Sequence, residues 1–226
     1  MEGYQFIDKI GIEIEGGWVR PKPLVEEISL KQKFEISNYI GELISKPFDN
    51  LEELFTYMEV NWPDEVTKDC GYHIHISLVN VMYYIKCMNN QFNDDFMKDF
   101  EKWGKNFPCM NPFFWERLAL KNPHCNKKFN PENQVFQKVK DHSRESIRRT
   151  LVNFSWGLHK TIECRLLPTF REFKTAKSAT KTFINFVENY LTKNSIKELD
   201  EIQDNLEEEI NIKREIYTSK PFNYFR

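Results

Sequence analysis

Three short segments alternate, residue by residue, between apolar and ionisable or polar side chains: GIEIEG (Gly11–Gly16), CGYHIHIS (Cys70–Ser77) and TIECRLLP (Thr161–Pro168). Successive side chains of a strand point to opposite faces, so a period of two sorts each segment into two sets. Ile10, Ile12 and Ile14 oppose Glu13 and Glu15 in the first. Tyr72, Ile74 and Ile76 oppose His73, His75 and Ser77 in the second. Ile162, Cys164 and Leu166 oppose Glu163 and Arg165 in the third. Few architectures accept such strands. Each must bury one face while keeping ionisable groups on the other, which an antiparallel sheet with one covered face provides.

Any one segment read alone is an ordinary half-buried strand with a solvated face. Glu-x-Glu places two like charges about 7 Å apart along one strand, and their repulsion costs stability unless a cation lies between them. Glu-x-Arg by itself is a surface ion pair. Taken together, Glu13, Glu15, His73, His75, Glu163 and Arg165 supply carboxylate and imidazole donors for a divalent cation. They also supply a guanidinium suited to phosphate oxygens.

The remaining text gives coarser expectations. The first strand should span Lys9–Gly16 and stop at the Gly16-Gly17 pair, with further short strands around Lys33–Ser37 and Glu42–Ser45. Asp49-Asn-Leu-Glu52 has the form of a capping box before Leu51, Leu54, Phe55 and Met58 at helical spacing. Helices are expected at Val79–Met88 and Asp94–Trp103, followed by a Pro- and Asn-rich stretch through Pro131. Leu151–Trp156 and Thr161–Pro168 should pair across the turn at Gly157–Lys160. A helix from Glu172 to Thr192 follows. Ser195–Glu198 opens a charged amphipathic helix carrying Ile196, Leu199, Ile202, Leu206 and Ile210. The order of elements predicts an α+β fold with a mainly antiparallel sheet, one concave face forming a site and helices packed on the other.

In this order, GIEIE, GELISKPF (Gly41–Phe48), CGYHIHIS and LVNFSWGLHKTIECRLLPTF (Leu151–Phe170) resemble motifs of the glutamine synthetase and glutamate–cysteine ligase superfamily of carboxylate–amine ligases. The nearest resemblance is to its amidoligase branch. Gly71–Ser77 reproduces the Gly-x-His-x-His-x-Ser strand of glutamine synthetases, and Glu163-Cys-Arg165 matches the late Glu-x-Arg strand. The resemblance implies a glutamine synthetase-type catalytic domain over 1–194, with a helical insert at about 79–144 that shapes the acceptor pocket. Residues 195–226 would form a C-terminal helix and tail outside it.

The resemblance further implies an ATP-dependent ligase that activates a carboxylate as an acyl-phosphate and lets an amine displace the phosphate. Two divalent cations, Mg²⁺ or Mn²⁺, would be held by Glu13, His73 and Glu163 and by Glu15 with Glu42. Glu13, Glu163 and Arg165 would be the catalytic set, with Arg165 pairing with the transferring phosphoryl group. His75 and Ser77 would lie on the nucleotide side. Asn153 and one basic residue of SRESIRRTLVNF (Arg149, with Arg144 and Arg148 as alternatives) would face substrate. The carboxylate and amine substrates would be small molecules, peptides or proteins. A non-catalytic binding protein that keeps the fold and a metal site is the competing expectation.

The other features are plainer. Net charge is −2 with no basic stripe, which argues against a nucleic-acid partner. Five cysteines at irregular spacing do not form a disulfide framework or a zinc module. The N-terminal residues lack a basic-then-apolar leader pattern, and no stretch reaches the length of a membrane span, so a cytoplasmic protein is expected. Cys70 and Cys164 read as buried structural thiols. His124, His142 and His159 read as solvated, and NPFFWERLAL as helix core. The C-terminal helix is a candidate oligomer contact.

Overall fold

The three alternating segments become the three central strands of a single sheet. In a computed structural model, residues 1, 3–24, 34–79, 90–128, 149–155 and 161–194 are described. The strands are β1 (Ile7–Trp18), β2 (Tyr39–Ile44), β3 (Tyr72–Leu78), β4 (Val152–Ser155) and β5 (Thr161–Cys164). Their order is β2-β1-β3-β5-β4, and every pairing is antiparallel. Among the described residues four helices accompany the sheet: α1 (Leu51–Asn61), α2 (Asn90–Asn106), α3 (Pro112–Leu118) and α4 (Phe173–Lys193). The fold is α+β with an open five-stranded antiparallel sheet.

Alternation decides which face is covered. Ile10, Ile12, Ile14, Tyr72, Ile74, Ile76, Ile162 and Cys164 are all buried on the side of α1 and α4. The buried Tyr72 hydroxyl shows how that side is closed. It lies 2.6 Å from Thr180 Oγ1 of α4, which in turn donates to Ala176 O at 2.8 Å. The ring meets Trp62 edge-on at 5.4 Å. On α4, Ala176, Thr180, Phe183, Val187 and Leu191 form the buried stripe expected of an amphipathic helix. Burying each large apolar side chain there stabilises by about 1.5–3 kcal/mol. Phe100 of α2 packs edge-on against Phe183 at 6.0 Å, which extends the core outward.

Several boundaries differ from the sequence expectation for physical reasons. β1 does not stop at Gly16-Gly17. It runs through to Trp18, because the glycines permit close packing: a Cβ on Gly16 would lie 2.5 Å from Pro63, and one on Gly17 would lie 2.5 Å from Ser37 Oγ. Phe34–Ser37 is not a strand. The amides of Glu35, Ile36 and Ser37 donate instead to the Glu65 carboxylate, at 2.7, 3.1 and 3.2 Å. The second strand lies at Tyr39–Ile44, earlier than the expected Glu42–Ser45.

The cap of α1 is Asn50, one residue beyond the expected Asp49, and its side chain accepts from Glu53 N at 2.8 Å. Pro63 follows the extended Trp62 and ends that helix. α2 is longer than the expected Asp94–Trp103, and the aromatic run of the insert forms the short α3, capped by Asn111. The expected helix after Val79, the turn at 157–160 and the C-terminal helix fall on residues 80–89, 157–160 and 195–226, outside the described residues. Among the described residues no helix is long and apolar enough to cross a membrane.

Candidate metal centre

Antiparallel register brings the ionisable faces of β1, β3 and β5 into two rows. Glu13 pairs with His73, and His75 pairs with Glu163, which pairs in turn with Asn153 of β4. On the other side of β1, Glu15 pairs with Glu42 of β2. Side chains of a register pair lie on one face, so these residues meet without help from any loop.

The Glu13 carboxylate sits between the two imidazoles. Its Oε2 is 2.9 Å from His73 Nδ1, and its Oε1 is 3.1 Å from His75 Nε2. The same two nitrogens lie 3.7 and 3.8 Å from Glu163 Oε1. Glu163 is 3% exposed, so its charge needs partners. Arg165 Nη1 donates to its Oε1, and Asn153 Nδ2 donates to Oε2 at 2.9 Å. His75 Nδ1 is 3.4 Å from the Thr161 hydroxyl, which holds the ring from its other edge.

The electrostatics follow from these contacts. Burial would raise the Glu163 carboxyl, but the Arg165 guanidinium and the neighbouring imidazoles outweigh it and pull the group down to about 2. Burial acts the same way on Glu13, and hydrogen bonds from His73 and His75 hold it well below the usual carboxylate range. For His75, burial alone would lower the imidazole, and Glu163 and Glu13 raise it instead. Arg165, despite burial, is held more firmly protonated by Glu163 and Glu13. The centre is a compact array of ionised carboxylates whose repulsion is offset by imidazole and guanidinium.

The donor set fits a cation on spacing and chemistry. One ligand atom each from Glu13, His75 and Glu163 lie within 4.8 Å of one another, and so do atoms from Glu13, Glu42 and His73. Ligands at about 2.1 Å around one ion sit roughly 3–4 Å apart, so each triad would draw in to close on an ion. Glu13 belongs to both triads.

Most of the residues singled out from sequence converge here: Glu13, His73, His75, Glu163, Arg165 and Asn153, with Glu42 in the second triad. The grouping differs from the expected one. His75, expected on the nucleotide side, takes the place of His73 beside Glu13 and Glu163, and His73 joins Glu13 and Glu42. Glu15 lies alongside with its carboxylate accepting from Gly71 N and belongs to neither triad. Ser77 is at the far end of β3, beside the irregular register between Ile7 and Ile10, where its Oγ accepts from Lys9 N at 3.0 Å. Arg149 stands at the approach to β4, and its carbonyl accepts from Asn126 and Lys127. Arg144, Arg148, His142 and His159 lie outside the described residues. His124 is half-exposed and 3.6 Å from Asp69, in keeping with a solvated reading. Cys70 and Cys164 are buried, and burial raises both thiols.

Three residues of the site escaped the sequence reading, and a fourth, Gly71, entered it only as a motif position. Thr161 steadies His75. Thr169 Oγ1 donates to both Glu15 O and Gly71 O, at 2.8 and 2.7 Å. Gly71 is required by crowding: a Cβ there would lie 2.7 Å from His73 Nε2 and 3.1 Å from Glu15 Oε2. Arg117 of α3 contacts the main chain of Arg165. A glycine two residues before the first histidine was the only visible hint. Comparison with protein families, with characterised proteins and with solved structures finds no match to this chain.

Proposed function

We propose that the protein is an ATP- and divalent-cation-dependent carboxylate–amine ligase of the amidoligase type, with a sheet of the glutamine synthetase kind. The observation that carries this reading is the pair of carboxylate–imidazole triads sharing Glu13, with Arg165 at the Glu163 end of the same cluster. Hard carboxylate oxygens with a minority of imidazole nitrogens suit Mg²⁺ or Mn²⁺ better than Zn²⁺. Glu13, His75 and Glu163 would hold one ion, and Glu13, Glu42 and His73 the other. When bound, the ions neutralise phosphate oxygens of ATP and let a carboxylate approach the γ-phosphoryl group.

The chain's own residues do the rest. Glu163 is fixed by Asn153 and Arg165 and presents a charged carboxylate that needs no reorganisation. Arg165 keeps its positive charge at the buried end of the cluster, where its Nε is enclosed and has no partner among the described residues. The guanidinium charge would stabilise a phosphoryl oxygen as negative charge moves during transfer. In the ion-free centre His73 Nδ1 and His75 Nε2 each lie against one oxygen of Glu13, and bound ions would take the place of these contacts. The carboxylate substrate then carries the phosphate, and an amine displaces it to give an amide. Small molecules, peptides and proteins are all admissible substrates.

The direct test is ATP turnover with Mg²⁺ or Mn²⁺ against panels of carboxylates and amines, with products identified by mass spectrometry. Formation of an amide mass with stoichiometric ADP and phosphate is expected. Metal and nucleotide binding without turnover on any pair would favour a binding protein that retains the centre.

A further inference from the structure

Arg117 is a buried cation, 1% exposed, with no carboxylate in ion-pair contact among the described residues. Its guanidinium is spent on the main chain. Nη1 donates to the carbonyls of Arg165 and Leu167, and Nη2 to that of Cys70, each at 3.2 Å. Removing such a charge from water is costly before any compensation.

Satisfying carbonyls accounts for only one of the three contacts, that to Arg165 O. Leu167 O already accepts from Tyr72 N at 3.0 Å, and Cys70 O from Thr169 N at 3.0 Å, so the main chain itself joins these two segments. What the guanidinium adds is a tie from α3 to both segments and a partner for the Arg165 carbonyl. Arg165 and Leu167 follow β5, whereas Cys70 precedes β3, and α3 carries the residue that spans them. Arg165 N donates to Leu151 O at 2.9 Å, so its main chain is bonded on both sides once Arg117 is in place. Gly71, next to Cys70, donates to the Glu15 carboxylate.

We propose that Arg117 is a positioning residue: its planar fork fixes the main chain at Arg165 and at Cys70, and thereby holds the Arg165 guanidinium and the Glu15 carboxylate at one end of the cation cluster. The functional consequence rests on the assignment of Arg165 to a phosphoryl ligand; the positional claim does not. Lysine cannot replace it, because one nitrogen on a flexible stem cannot span three separated carbonyls.

The test compares Arg117→Lys with Leu191→Ala, a variant that loosens the distant end of α4 and serves as a control for general destabilisation. The first readout is the ¹⁵N NMR signal of Arg165 Nε–H in the folded, ligand-free protein. In Arg117→Lys this proton is expected to move and to exchange with solvent about tenfold faster, while Leu191→Ala leaves it as in wild type. An unmoved signal in folded Arg117→Lys overturns the proposal. If that variant does not fold, Arg117→Met, which keeps an unbranched stem and leaves no buried charge behind, takes its place. The Arg165 signal should move in the same sense, and an unmoved one overturns the proposal.

The second readout is ATP binding with Mn²⁺ by calorimetry, expected to weaken about tenfold in Arg117→Lys and to be unchanged in Leu191→Ala. A moved Arg165 signal in a protein whose wild type binds no ATP supports the positioning role and counts against the phosphoryl reading.

Discussion

Glu13 and His73 are register partners on adjacent central strands, and the carboxylate of one meets Nδ1 of the other at 2.9 Å. With His75 Nε2 3.1 Å from its other oxygen, Glu13 is the shared member of both donor triads, and the consequences can be measured one residue at a time.

Metal should stabilise the fold through this carboxylate. A ligand at a hundred times its dissociation constant stabilises by about 2.7 kcal/mol. Millimolar Mn²⁺ is therefore expected to raise the melting temperature of the wild type. Glu13→Gln should abolish most of that rise, because it removes a charge from both triads, whereas Glu42→Gln should remove only part of it. Differential scanning fluorimetry with and without Mn²⁺ decides. Equal gains in wild type and Glu13→Gln would remove Glu13 from the centre.

Stability of the metal-free protein should depend on pH in both directions. The folded-state values of Glu163 and Glu13 lie below their unfolded values, so their contribution is complete above about pH 4.5. It is lost as pH falls toward the lowered values, which for Glu163 is about 2. His75 shifts the other way, upward from 6.5. Its contribution is complete below that value and is lost as pH rises through the raised one. Urea midpoints measured across pH should therefore be highest between roughly 4.5 and 6.5 as far as these groups govern them. A midpoint that climbs steadily from pH 6 to 9 would contradict the His75 assignment.

Gly71 should resist replacement where Gly11, also facing β3, does not. A Cβ on Gly71 would meet His73 Nε2 at 2.7 Å, whereas one on Gly11 would have no neighbour nearer than 3.9 Å. Gly71→Ala is expected to cost about 1–3 kcal/mol and to weaken Mn²⁺ binding as His73 turns aside. Gly11→Ala should stay within about 0.5 kcal/mol of wild type. Chemical denaturation and Mn²⁺ titration of both variants would test this, and indistinguishable results would refute the crowding argument.

Arg165→Lys separates charge from geometry. Lysine still compensates the buried Glu163 but lacks the planar fork. The variant should fold and bind metal while turnover drops about a hundredfold, equivalent to roughly 3 kcal/mol of transition-state stabilisation. Arg165→Ala should in addition lower stability by about 3 kcal/mol, because the buried Glu163 would lose its contacting cation and keep only Asn153 and the more distant imidazoles. Near-normal turnover in the lysine variant would take Arg165 out of the mechanism.

Glu65 provides a test away from the centre. Its carboxylate collects the amides of Glu35, Ile36 and Ser37, and those bonds hold it below the usual carboxylate range. Glu65→Ala should speed hydrogen exchange at all three amides and leave the strands of the sheet unchanged. Unaltered exchange at the three would dismiss the carboxylate as their anchor.

The alternating segments by themselves determined which residues share a face. A strand's period of two is a property of the backbone and needs no partner, so Ile12 with Ile14, His73 with His75, and Glu163 with Arg165 were sorted before any pairing was known. Other features were decided only by tertiary structure. Which carboxylate lies opposite which imidazole depends on strand order and register. These put Glu13 beside His73 and His75, and send Glu15 to Gly71 instead of to either triad. Carboxylates and guanidinium groups that bind main chain, such as Glu65 under Ser37 and Arg117 beneath Arg165, follow no periodicity, because every residue offers the same amide and carbonyl. The Gly16-Gly17 pair reads locally as a break. It is strand, because the approach of Pro63 and Ser37 is set by chain more than 15 residues away, where sequence spacing carries no information about distance.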